Sequence, residues 1–259
     1  MSRPRTYQTE AIIIKKTRLG EADRILTLYT PDLGKIQGVA KGVRRPKSKL
    51  AGHLEMLTHS TVSFARGRNL DTIIGSQTIN SFLPLKSDID RTARALYLVE
   101  LVNQFTAEHV EDRRLFWLLL ETMQQLCLPE NNELLLRYFE LHLLDAAGYR
   151  PQLQQCVHCR HTLTPVVNYF SPGGGGVLCP DCRHSQNTVY HLSVDALKVI
   201  RWLQDNDLSS VIRLKTDFEL SRELEKVMRE YIKHLLEREI KSAAWLDSLK
   251  ELPSPSSTV

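Results

Sequence analysis

Two pairs of cysteines constrain this 259-residue chain more than any other feature. Cys156-Val-His-Cys159 and Cys179-Pro-Asp-Cys182 are both C-x-x-C motifs, and nineteen residues separate them. Each motif can present two thiolates to one ion, and two motifs complete the sulfur tetrahedron of a structural zinc site. The spacing therefore predicts Zn²⁺ bound by all four cysteines. Because four sulfurs leave no open coordination position, the predicted role is structural rather than catalytic.

The residues between the two pairs favour a zinc ribbon. A short strand-like run and a glycine-rich turn occupy 169–177, and we place the whole module at 154–186. Two disulfides, a redox C-x-x-C or cysteines without a ligand are the alternatives. The polar, basic N-terminus lacks the apolar run of a secretory signal, so we expect a cytoplasmic protein, where paired cysteines more often bind metal. His158, His161 or His184 could each replace one cysteine ligand.

Motifs of known enzymes do not recur in the sequence, and we expect a protein that is not an enzyme. Zinc nucleobase deaminases combine H-x-E with P-C-x-x-C. His53-Leu-Glu55 and His109-Val-Glu111 match the first part, but no proline precedes either cysteine pair. The chain also lacks a P-loop, a G-x-S-x-G elbow and an H-E-x-x-H motif.

Positive charge is concentrated at the N-terminal end. Residues 1–80 contain fourteen Lys and Arg against six Asp and Glu, a net charge of +8, whereas the other 179 residues carry −4. This asymmetry indicates a polyanionic partner for the basic end, and a cationic loop can follow a phosphate backbone without reading sequence. The candidate DNA-binding residues are Lys15, Lys16, Arg18, Arg24, Lys35, Lys41, Arg44, Arg45, Lys47, Lys49, Arg66 and Arg68. A merely solubilising surface is the alternative.

The same N-terminal region has the pattern of β structure. Apolar and β-branched runs at 11–14, 25–29, 61–64 and 72–74 alternate with turn residues at intervals of about ten residues. About five strands in 80 residues predict an OB-fold barrel, a fold that often joins a basic groove to aromatic stacking platforms. Tyr7, Tyr29 and Phe64 are candidate platforms, and the core is favoured for the last two.

Helical periodicity replaces the β pattern after residue 84. It predicts helices over 89–105, 115–126 and 134–147, one from Ser193 to about Gln204, and one from about Asp217 to Leu249. The predicted fold class is therefore α+β multidomain, with an OB-fold at 1–81 and an all-α domain at 82–153 and 187–250 that carries the zinc module. We expect disorder in the Pro- and Ser-rich tail, 251–259.

Several segments, in this order, resemble one protein family. They are Glu21-Ala-Asp-Arg24, Thr30-Pro-Asp-Leu-Gly34, Gly38-Val-Ala-Lys-Gly-Val-Arg44, Gly148-Tyr-Arg-Pro-Gln-Leu153 and the two cysteine motifs. The chain resembles the bacterial DNA repair protein RecO family over its whole length except the tail. The resemblance implies an N-terminal OB-fold, a helical domain and a zinc module, and it is closest for the basic residues at 41–44.

The resemblance also implies a function and partners. RecO proteins are recombination mediators that bind single- and double-stranded DNA, anneal complementary strands and help to load RecA. Their partners are RecR and the C-terminal tail of single-stranded DNA-binding protein, and we expect a cytoplasmic, nucleoid-associated location without a membrane. Two other hypotheses remain: a zinc-ribbon adaptor that binds proteins without direct nucleic-acid function, and a nuclease, which would need clustered acids for Mg²⁺.

Overall fold

A computed structural model describes residues 5–129 and 133–250 of the chain. Two compact units emerge, one formed by Met1–Pro129 with Ser242–Val259 and the other by Glu130–Lys241. This grouping by contact does not follow the domain limits expected from sequence, at residues 81, 153 and 186, and those limits stay a prediction. The tail at 251–259, expected to be disordered, lies outside the described residues.

Five strands close into a barrel in the first unit. Four of the neighbouring pairs are antiparallel and one is parallel. The strands are β1 (Thr6–Leu19), β2 (Asp23–Thr30), β3 (Gly34–Ala40), β4 (His59–Ala65) and β5 (Asp71–Asn80). The order around the barrel is β1-β2-β3-β5-β4, and β1 closes it by pairing with both β2 and β4. The predicted five-stranded, OB-like barrel is confirmed.

Alternate residues of the strands point into the barrel and form its core. Ala11, Ile13, Leu26, Leu28 and Phe64 all lie in one buried apolar cluster inside the barrel. Such side chains stand on one face of each strand, since successive residues point to opposite faces. Gly38 makes room for the largest of them, because a Cβ at this position would lie 2.7 Å from a ring carbon of Phe64.

Eight helices lie in the described part of the chain. They are α1 (Leu83–Lys86), α2 (Ile89–Phe105), α3 (Arg113–Leu126), α4 (Leu134–Ala146), α5 (Val194–Asp205), α6 (Leu208–Val211), α7 (Phe218–Leu236) and α8 (Lys241–Lys250). Asp88, Asp112, Ser193 and Asp217 cap α2, α3, α5 and α7 by accepting a backbone N–H three residues on. Such caps satisfy donors that the first helical turn leaves without partners. The predicted N-cap Ser193 is confirmed.

The single helix predicted from about Asp217 to Leu249 is wrong. Helix α7 ends at Leu236, because Glu237 adopts the left-handed conformation with φ of 52°, and α8 begins only at Lys241. A left-handed residue commonly ends a helix, but Gly or Asn usually occupies that position. The charged sequence at 237–239 therefore carries no signal of the break. The short α6, begun by the Asp207 cap, was not expected either.

The second unit combines helices α4 to α7 with a small sheet. The sheet has the order β7-β6-β8 and consists of β6 (Asn168–Ser171), β7 (Gly176–Leu178) and β8 (Tyr190–Leu192). The glycine-rich turn expected from sequence joins β6 to β7, and Gly175 in it has a positive φ of 66°. Among the described residues, no helix is both long and apolar enough to cross a membrane.

Candidate metal centre and nucleic-acid interface

The four predicted metal ligands come together in the structure. The sulfur atoms of Cys156, Cys159, Cys179 and Cys182 all lie within 4.8 Å of one another, and those of Cys159 and Cys179 are 3.8 Å apart. This separation suits four thiolates around one metal ion with Zn–S distances of about 2.3 Å. In the described part of the chain no His, Asp or Glu joins the cluster, and His158, His161 and His184 lie outside it.

Backbone hydrogen bonds hold the first cysteine pair in a tight turn. The Arg160 N–H donates to the Cys156 carbonyl at 2.9 Å, and Arg160 itself has a positive φ of 63°. The Cys156 N–H donates to the His161 carbonyl at 2.9 Å, while the Val157 N–H donates to Val177 on β7 at 2.9 Å. The turn is therefore fixed both to itself and to the strand that leads to the second pair.

The second pair begins where β7 ends. Cys179 precedes a 3₁₀ turn over Pro180–Ser185, in which the Cys182 N–H donates to the Cys179 carbonyl at 3.1 Å. On the other side of the hairpin, Gly176 lies against the chain before the first pair. A Cβ at Gly176 would fall 2.4 Å from the Gln152 carbonyl oxygen, so only glycine permits this approach.

The cysteine thiols have unequal proton affinities. Burial raises the pKa of Cys156, but hydrogen bonds from the Cys179, Cys159 and His158 backbone N–H groups outweigh it and lower this pKa to about 6. Burial and the neighbouring thiols raise the pKa of Cys182 to about 12. Four thiolates this close repel one another, whereas a bound divalent cation deprotonates coordinating thiols outright. The donor set therefore fits a metal ion.

Much of the predicted DNA-binding surface gathers at one end of the barrel. Arg18 on β1 pairs with Arg24 on β2, and Arg24 pairs in turn with Ala40, the last residue of β3. The loop 41–49 starts at the next residue. We call these two arginines together with the loop 41–49 the basic end of the barrel.

The first half of the loop 41–49 is fastened to the turn between β1 and β2. The Gly42 N–H donates to the Asp23 carboxylate at 2.7 Å, and the Arg44 N–H donates to the Ala22 carbonyl at 3.0 Å. The Arg44 guanidinium also reaches the Gly20 carbonyl at 3.5 Å. Asp23 thus anchors the backbone of the cationic loop. This role was missed in the sequence because basic residues alone were considered.

Most of the twelve predicted DNA-binding side chains are accessible. Lys16 and Arg24 are half-buried, and the exposed ones are Lys15, Arg18, Lys41, Arg44, Arg45, Lys47, Lys49, Arg66 and Arg68. Lys16 forms an ion pair with Glu55, which leaves it less available to a phosphate. Arg66 and Arg68 lie in the loop between β4 and β5, away in sequence from the basic end.

Lys35 requires a correction, because it does not lie on the surface. Lys35 is only 8% exposed, and its ammonium donates to the carbonyls of Asn103 at 2.7 Å and Thr106 at 2.5 Å. Burial, slightly opposed by Glu108, lowers the pKa of Lys35. The side chain caps the C-terminal end of α2, where a cation satisfies carbonyls that the helix leaves without donors.

Two of the three aromatic candidates are core residues, as the sequence favoured. Tyr29 and Phe64 are fully buried, whereas Tyr7 is half-buried at the edge of the barrel. Tyr7 stacks on Phe64, with ring centroids 5.0 Å apart and planes inclined by 11°. Of the three, Tyr7 alone keeps access to solvent.

The fold and the sites define a class of protein: an OB-like barrel with a basic end, followed by helices and a cluster of four cysteines that fits a metal ion. Two family models match the chain, "Recombination protein O N terminal" over residues 1–82 and "Recombination protein O C terminal" over 86–244. The chain belongs to the RecO family.

Curated relatives agree over nearly the full length. A DNA repair protein RecO of Dehalococcoides mccartyi strain 195 is 49% identical over 249 residues, which cover 96% of this chain and 98% of the relative. DNA repair protein RecO of Roseiflexus sp. is 42% identical, covering 98% and 90%, and that of Symbiobacterium thermophilum is 34% identical, covering 94% and 98%.

Proposed function

We propose that this protein is a DNA-binding recombination mediator that uses the basic end of its barrel to hold DNA and contains a structural Zn²⁺ ion. Family membership supports a role in DNA repair by recombination. The observation that carries the DNA-binding step is the loop 41–49, whose five exposed cations are held beside Arg18 and Arg24.

The mechanism is electrostatic. Lys and Arg side chains neutralise phosphates and release condensed counterions, so affinity falls as salt concentration rises. Loop cations reach the backbone rather than base edges, which gives binding without a sequence code. Neutralised strands repel each other less, and two complementary strands can then approach and anneal. This function needs no bond-making chemistry. Within the described residues, the cysteine cluster is the one group of three or more side chains suited to hold a metal, so the acids that a nuclease needs are not gathered.

The zinc ion and the protein partners complete the proposal. Zn²⁺ bound by the four cysteines joins the two ends of the glycine-rich hairpin and stabilises it, since metal binding supplies folding energy. From its family we infer that the protein binds RecR and the C-terminal tail of single-stranded DNA-binding protein, and that it acts on RecA indirectly. It would do so in the cytoplasm, at the nucleoid. Both single- and double-stranded DNA are ligands.

Charge reversal at the loop tests the proposal. We expect fluorescence anisotropy to show that the intact protein binds a labelled single-stranded oligonucleotide, and that the triple variant Arg44→Glu, Arg45→Glu, Lys47→Glu loses at least tenfold in affinity. Loss of three phosphate contacts of about 0.5 to 1 kcal/mol each amounts to about 1.5 to 3 kcal/mol, and about 1.4 kcal/mol corresponds to tenfold.

A matched control separates local from overall charge. Lys198→Glu, Arg222→Glu, Lys226→Glu makes the same change of net charge with exposed residues of the second unit, and it should bind DNA much as the wild type does. Equal losses in both variants would contradict a binding site at the basic end. Absence of DNA binding by the wild type at low salt would favour the adaptor hypothesis instead.

A further inference from the structure

Three planar side chains form a column at one edge of the barrel. Phe64 stacks against Tyr7 at 5.0 Å, and the Arg66 guanidinium carbon lies 4.7 Å from the centre of the Tyr7 ring. Because Phe64 occupies one face of this ring, the guanidinium lies over the other. Tyr7 and Phe64 are directly paired across β1 and β4, and Arg66 projects to the same side of β4 as Phe64 because it is two residues further on.

Asp71 fixes the column in place. Its carboxylate accepts a hydrogen bond from the Tyr7 hydroxyl at 2.8 Å and another from the Gly67 N–H at 2.9 Å. Gly67 permits the turn that brings these groups together, because a Cβ there would lie 1.9 Å from the Leu70 carbonyl oxygen. Burial together with Asp71 raises the pKa of Tyr7, so the hydroxyl stays a donor at neutral pH.

The column runs from the core to the surface. Phe64 is fully buried, Tyr7 is half-buried, and Arg66 is exposed. The guanidinium is therefore the outermost plane of the column and carries a positive charge. These properties match a nucleobase and its phosphate, since bases stack on Arg guanidinium groups.

We propose that this column is a stacking site for one unpaired nucleobase of single-stranded DNA, with the outer face of the Arg66 guanidinium as the stacking plane and with Tyr7 and Asp71 as positioning residues. The inference rests on the proposed DNA-binding function and deepens it. Asp71 pairs with Gly38 of β3, three residues before Lys41, so one strand pair connects the column to the basic end. Bases in duplex DNA are already stacked, so the site favours single strands.

Two variants test the column, and each keeps the charge or the apolar character of the side chain that it replaces. Arg66→Lys keeps the charge and removes the plane, and Tyr7→Leu keeps an apolar side chain and removes the ring. Each should lower affinity for a single-stranded oligonucleotide roughly fivefold or more, because stacking on one base contributes that much. Affinity for duplex DNA should change by less than about twofold.

Matched controls isolate the column from charge and from folding. Arg222→Lys changes an exposed arginine that lies over the Phe218 ring in the second unit, 5.6 Å from its centre, and it should leave single-strand affinity unaltered. Tyr7→Phe keeps the ring but loses the hydrogen bond to Asp71, and its affinity should lie between those of the wild type and Tyr7→Leu. Circular dichroism melting of each variant verifies that the barrel is folded during the measurement.

The outcomes distinguish this inference from the function on which it rests. If the wild type binds single strands, yet both column variants bind them equally well, the stacking site is overturned and the electrostatic binding stands. If the wild type binds neither form of DNA, the proposed function fails, and the stacking site fails with it. Equal losses for single and double strands in the variants would also overturn the proposed selectivity.

Discussion

At the scale of single residues, the surroundings of a cation decide its use. Lys35 and Arg44 belong to the same basic stretch of sequence and differ little in chemistry. Lys35 points to the end of α2, where two carbonyls take its ammonium, whereas Arg44 lies exposed on a loop fastened by its backbone. Strand alternation alone could not separate the two, because the helix that receives Lys35 lies about 70 residues further along the chain.

Substitution of Lys35 should therefore affect stability and not DNA binding. Lys35→Met keeps the buried stem but leaves the Asn103 and Thr106 carbonyls without their donor. We expect urea unfolding to show a loss of about 1–3 kcal/mol, the cost of buried groups without partners. Anisotropy should show single-strand affinity unchanged.

The exposed Lys15 serves as the opposite case. Lys15→Met should leave the free energy of unfolding within about 0.5 kcal/mol of the wild type, as expected for a surface change, and should weaken DNA binding. A Lys35→Met protein that is as stable as the wild type but binds DNA poorly would mean that Lys35 contacts DNA.

At the scale of elements, the sequence predicted those parts whose signals are local. Periodicity gave α2 its full extent from Ile89 to Phe105, and the Ser193 cap located the start of α5. The end of α7 at Leu236 escaped prediction, because Glu237 takes a left-handed conformation that its residue type does not favour. The clustering of the four cysteines was predictable from the spacing of their two motifs. Asp23 and Asp71 were not, because their hydrogen bonds depend on strand register.

Removal of the metal should unfold one element of the structure selectively. After treatment with a strong zinc chelator, we expect hydrogen exchange to accelerate over 152–192, where the hairpin depends on the ion. Strands β1 to β5 should keep their protection, since they have their own apolar core. The zinc content of the purified protein, measured by atomic absorption, should be a single ion per chain.

Cysteine variants provide the matched comparison for the metal site. Cys179→Ser removes one ligand and should abolish stoichiometric zinc binding. Cys127→Ser should retain the ion, because Cys127 lies at the end of α3, where its thiol donates to the Met123 carbonyl at 3.4 Å. Zinc retained at full stoichiometry by Cys179→Ser would contradict coordination by all four cysteines.

At the scale of the whole molecule, charge is segregated along the chain. The first 80 residues carry +8 and the other 179 carry −4. An evenly mixed surface would attract DNA weakly and without a preferred orientation, whereas segregated charge directs the basic end to the polyanion.

Segregated charge gives a quantitative expectation for salt dependence. On single-stranded DNA, each phosphate neutralised contributes about 0.7 to the slope of log affinity against log salt. The Arg44, Arg45 and Lys47 to Glu variant should therefore lose about 2 units of slope over about 50 to 200 mM salt. A weakened variant with an unaltered slope would mean that these residues do not contact phosphates.

The double pairing of β1 also determines how the barrel can assemble. Its second half pairs with β2 across a short turn, but its first half pairs with β4, so that Thr6 lies opposite Ala65. The β1-β2-β3 meander can form from nearby residues as the chain is synthesised, whereas closure must wait until some 60 residues have emerged. Long-range pairings of this kind slow folding. Until β4 arrives, half of β1 exposes an edge open to other chains, which makes ring closure the step at which misassembly competes with folding.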